Sequence, residues 1–79
     1  MEKAQTAELK EQLELRRDEL FSKIVKLIEG DGYGEQSEQV ALDKIYNYRM
    51  RTDKGQIPAG ELEGFIDAHV KICMLIETL

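Results

Sequence analysis

Aromatic rings beside guanidinium groups can stack on a flat ligand and clamp its phosphate or carboxylate. One stretch of this 79-residue sequence concentrates those residue types: YNYRMRTDK, residues 46–54. Tyr48 and Arg51 lie three apart and Lys44 lies four before Tyr48, so a helix presents all three on one side. Arg49 falls on a neighbouring side close to Tyr46, and Lys54 follows in a joint. Tyr46, Tyr48, Arg49, Arg51 and Lys54 are therefore the candidate contacts for a small anionic ligand such as a nucleotide. The competing reading is structural. Tyr48 then packs inward, the cations balance nearby acids, and Arg49 and Arg51 suit the negative end of a helix. The structural reading carries more weight.

The other constellations are weaker. His69 and Cys73 stand four apart on one helical face, the spacing of half a metal site or of a thiol beside a general base. A closed zinc site wants four ligands, so packing is preferred, with a polar side chain setting register between helices. Glu61, Glu63 and Asp67 occupy the start of a helix, where acids favour the backbone dipole without any acid–base role. GDGYGEQSE, residues 30–38, matches neither a phosphate loop nor a calcium loop. It reads as a glycine-rich connector with Tyr33 exposed at its centre. Arg16 and Arg17 interrupt an apolar stripe, where an aliphatic stem can lie along the core with its head in water.

These side chains need a scaffold, and the totals limit it. A chain of this length builds one domain that buries only a modest core. A single cysteine excludes an intrachain disulfide and fits a reducing compartment. The sequence has no apolar run of membrane-spanning length, and its first twelve residues lack the apolar core of a signal peptide. A net charge of −5 opposes general nucleic-acid binding. The charge is uneven: −4 over residues 30–43, then +3 over residues 44–54.

The periodicity predicts three helices. The first runs from about 6 to 29 with Thr6 as N-cap, its apolar face formed by Leu9, Leu13, Leu20, Ile24 and Leu27 and widened by Phe21, Val25 and Ile28. Gly30 is placed as its C-terminal cap. The second runs from about 38 to 51 behind Ser37, with Ala41, Leu42, Ile45 and Tyr48 inward. The third runs from about 58 to 78, opened by Pro58 after a stop at Gly55. Its seam is Leu62, Phe65, His69, Ile72, Ile76 and Leu79, at spacings of three and four. Val70, Met74 and Leu75 lie beyond that seam as apolar surface for another copy. Residues 1–79 form one domain, with residues 1–5 as a disordered tail.

A Tyr-Arg pair ahead of an acidic-started helix with a lysine further along, here Tyr48, Arg49, Glu61 and Lys71, resembles the helical hairpin of phage proteins that sequester cyclic-nucleotide signals. It covers less than half of the chain, and the joint here is longer. That resemblance implies an anionic nucleotide ligand.

The expectation is an all-α fold, a small bundle of two long helices and a shorter middle one, completed by oligomerisation. The leading function is a small acidic interaction protein of the cytoplasm. It self-associates as a dimer or higher homo-oligomer and binds or inhibits another protein, as a regulator or adaptor does. The alternative is a sequestering protein for a small anionic ligand held by segment 46–54. No enzyme activity, cofactor, metal, nucleic acid or membrane enters either reading.

Overall fold

The computed structural model describes residues 2–51 and 57–79. It is all-α, with three helices in chain order: α1 (Glu2–Gly30), α2 (Ser37–Arg51) and α3 (Gly60–Thr78). No strand occurs among the described residues. At about 1.5 Å per residue α1 is roughly 43 Å long and α3 roughly 28 Å, so α1 sets the longest extent of 47 Å. The expected start near Thr6 moves back to Glu2, and Thr6 lies inside the helix.

The Lys23 ammonium lies over the Phe65 ring, 5.7 Å from its centroid, while the ring centroids of Phe21 and His69 stand 6.0 Å apart. Rising positions on α1 thus meet falling positions on α3, and the two helices pack antiparallel. The shorter α2 closes the third side. The core is Leu20, Ile24, Ile28, Ala41, Tyr48, Ile66 and Val70, drawn from all three helices.

Three expected faces shift. On α1 it is Ile28 that is fully buried and Leu27 that is half-buried. On α3 Val70, expected outside, is in the core, because α2 covers a flank that one long partner would leave open. Leu62, Phe65, Ile72 and Ile76 are half-buried, His69 is buried, and Leu79 is exposed. On α2 Leu42 points outward, not inward.

The connector works differently from its sequence reading. Gly30 ends α1 in ordinary backbone, and the left-handed positions are Gly32 (φ 96°) and Gly34 (φ 59°). Only glycine takes such angles without strain. The amides of Asp31 and Gly32 donate to the carbonyls of Ile28 and Glu29, each at 3.0 Å. A 3-10 turn, Gly34–Gln36, then leads directly into α2. Ser37 is buried, and its hydroxyl donates back to the Gly34 carbonyl at 2.7 Å. Helix α3 starts at Gly60, two residues after Pro58. The Ala59 amide donates to the Glu63 carboxylate at 3.1 Å, the returning arm of a capping interaction. No helix among the described residues is long and apolar enough to cross a membrane.

Candidate functional site

Helix α2 divides the candidate residues among different sides, because consecutive residues rotate by about 100° around a helix. Tyr48 takes the inner side. It is 1% exposed, and its hydroxyl donates to Asp67 Oδ1 at 2.8 Å. The other oxygen of Asp67 meets Lys71 Nζ at 2.8 Å. Burial, then the hydrogen bond to Asp67 and its negative charge, push the Tyr48 hydroxyl up to about 12. The Lys71 hydrogen bond holds the Asp67 carboxyl below its usual value against the opposing effect of burial, with the Tyr48 hydroxyl helping. Tyr48 is thus a core residue with a satisfied polar end.

Arg49 reaches α3, where its Nη2 lies 2.7 Å from both carboxylate oxygens of Glu77. Arg51 turns over the Tyr48 ring, 5.8 Å from the centroid, within cation–π range. Tyr46 is exposed on the outer side of the same helix. Lys54 lies outside the described residues. The four described candidates therefore do not form a single patch.

What does converge is a cleft of about 310 Å³ between α2 and α3, lined by Lys44, Asn47, Tyr48, Arg51, Leu62, Glu63 and Ile66. Its α2 wall is one helical face: Lys44, Asn47, Tyr48 and Arg51 sit at i, i+3, i+4 and i+7. Lys44 and Arg51 supply two cations, the side of Tyr48 with Leu62 and Ile66 supplies apolar floor, and Glu63 opposes an anion from the far wall. Asn47 has the right spacing but was outside the residues singled out by type.

His69 and Cys73 do meet, with Sγ 3.7 Å from Nδ1. Burial, with the Arg17 charge adding to it, pushes the imidazole below its ordinary value. Burial also raises the Cys73 thiol. A nucleophilic cysteine needs a thiolate beside an imidazolium, and here both shifts favour the neutral forms. Among the described residues no three His, Cys, Asp or Glu side chains are grouped to hold a metal ion.

No family model matches this chain, and neither curated proteins nor solved structures offer a match. Three of the four residues that carry the phage-protein resemblance have partners within the chain: Tyr48 and Lys71 meet on Asp67, and Arg49 is paired with Glu77. Arg16 pairs with Glu19 and Arg17 with Asp18, both at 3.2 Å and both within α1. Tyr33 is exposed in the connector.

The sequence reading passed over a second feature of α2. Leu42, Tyr46 and Met50 are 50%, 63% and 62% exposed, and they recur every four residues. They lie opposite the buried side marked by Ala41 and Tyr48. The signal is present as spacing, but the inward stripe read from the sequence includes Leu42 and omits Met50.

Proposed function

We propose that this chain is a small acidic helical interaction protein that self-associates and binds or inhibits another protein, as a regulator or adaptor does. One observation carries the proposal. The folded chain exposes 5868 Å², whereas a compact monomer of 9.1 kDa exposes about 4,900 Å² by the usual size scaling. Part of the surplus of roughly 1,000 Å² belongs to the first half of α1, where none of residues 5–19 is buried. Large apolar side chains on all three helices contribute to it, among them Leu15, Tyr46 and Leu75. The acidic charge suits a partner with a basic surface, such as one that ordinarily holds nucleic acid. The lone thiol suits the cytoplasm.

A second reading rests on the cleft. Lys44 and Arg51 over an aromatic floor suit a small ring-bearing anion such as a nucleotide. That reading keeps Tyr48 and Arg51 and gives Tyr46 and Arg49 no part in the cleft.

Native mass spectrometry of the purified protein tests both readings at once. A defined oligomer without added mass supports the interaction protein. Added mass of nucleotide size, lost in Lys44→Ala/Arg51→Ala, supports the ligand binder. A bare monomer at micromolar concentration would overturn both.

A further inference from the structure

We propose that the cleft between α2 and α3 takes a nucleoside monophosphate whose base carries an exocyclic amine, the phosphate held from α2 and the amine received on α3. This rests on the anionic-ligand reading of the cleft and names the ligand.

The two walls carry opposite charge: Lys44 and Arg51 stand on the α2 wall and Glu63 on the α3 wall. Elsewhere the chain sets cations against its own carboxylates, as in Arg16–Glu19, Arg49–Glu77 and Lys71–Asp67. The cleft cations differ. Among the described residues Lys44 has no ion-pair partner, and Arg51 rests over the Tyr48 ring rather than on a carboxylate. Two cations left open on one helical face suit a phosphate. The Tyr48 ring holds one of them in place before a ligand arrives.

Glu63 decides what the rest of the ligand must be. Its Oε1 accepts the Ala59 amide at 3.1 Å, which fixes the carboxylate and leaves Oε2 without a partner among the described residues. A carboxylate accepts hydrogen bonds and donates none. The group set against it must therefore bring N–H donors, and a second phosphate at that wall is repelled. Leu62 and Ile66 give a flat base an apolar bed between the walls, and the Asn47 amide adds donors and an acceptor for its edge. Size points the same way. A cleft of about 310 Å³ lies at the lower end of the roughly 300–1,000 Å³ of small-molecule sites, room for one base and one phosphate.

Isothermal titration calorimetry on the full chain with two ligand pairs tests this: AMP against purine riboside monophosphate, and GMP against inosine monophosphate. Within each pair only the amine differs. At least one amine-bearing member should bind the wild type roughly tenfold to a hundredfold tighter than its counterpart. Glu63→Gln keeps an oxygen for the Ala59 amide but turns an N–H donor toward the ligand. It should erase that preference and bind inorganic pyrophosphate more tightly than the wild type does. Lys44→Ala/Arg51→Ala should lose all of these ligands. The comparison within a pair needs only wild-type protein, so it stands whether or not the variants fold. Pairs that bind equally and still depend on Lys44 and Arg51 mean that the cleft takes the phosphate without reading the base. That result, or an amine preference that survives Glu63→Gln, overturns this inference and leaves the anionic-ligand reading intact. No binding of any nucleotide or of pyrophosphate at millimolar concentration overturns both.

Discussion

Removing one oxygen atom, in Tyr48→Phe, tests how α2 is held to the helix pair. The ring of Tyr48 stays in the core, so packing is preserved and only the 2.8 Å hydrogen bond to Asp67 is lost. A hydrogen bond to a charged acceptor contributes roughly 1.5–3 kcal/mol. Asp67 keeps Lys71 as a partner, which places the expected loss at the lower end, about 1.5–2 kcal/mol. In a domain of this size that lowers the melting temperature by roughly 10 °C. Urea and thermal melts followed by circular dichroism at neutral pH measure it. A double-mutant cycle with Asp67→Asn isolates the pair, and a coupling of about 1 kcal/mol or more is expected. If Tyr48→Phe unfolds within about 0.5 kcal/mol of wild type, the ordinary range for surface changes, Tyr48 is not the tie described here.

The same bond predicts an alkaline response with a definite sign. The folded Tyr48 hydroxyl holds its proton to about 12, against an ordinary value of 10.0. Between those values the unfolded chain ionises first, so the contribution of Tyr48 is full below pH 10 and lost as pH rises toward 12. Tyr48→Phe should flatten that part of the stability curve.

Other perturbations probe different parts of the molecule. The single histidine should titrate by NMR with a midpoint below 6.5, because burial opposes its charging; its contribution to stability is full above that pH and declines as pH falls through the folded value, and His69→Gln should remove that component. Val70→Ala should cost about 2 kcal/mol by chemical denaturation while Leu75→Ala changes little, since Val70 is in the core and Leu75 is exposed; equal costs would refute the assignment. Gly32→Ala should destabilise by about 1 kcal/mol or more at φ 96°, whereas Gly30→Ala, in helical backbone with open space around it, should be neutral or stabilising.

The three helices were legible because their apolar spacing and the glycines between them are local signals. What failed was rotation. Two lines of apolar residues run along each long helix, and spacings of three and four fit either. The choice between Leu27 and Ile28, or between Ile72 and Val70, depends on where a third helix lies, and no local pattern contains that. The candidate site failed for a related reason. Tyr46, Tyr48, Arg49 and Arg51 are neighbours in sequence, yet α2 sends Tyr48 into the core, Arg49 to Glu77 and Tyr46 outward. Residues chosen by type scattered, while Lys44, Tyr48 and Arg51, which spacing places on one side, come together on the cleft with Asn47.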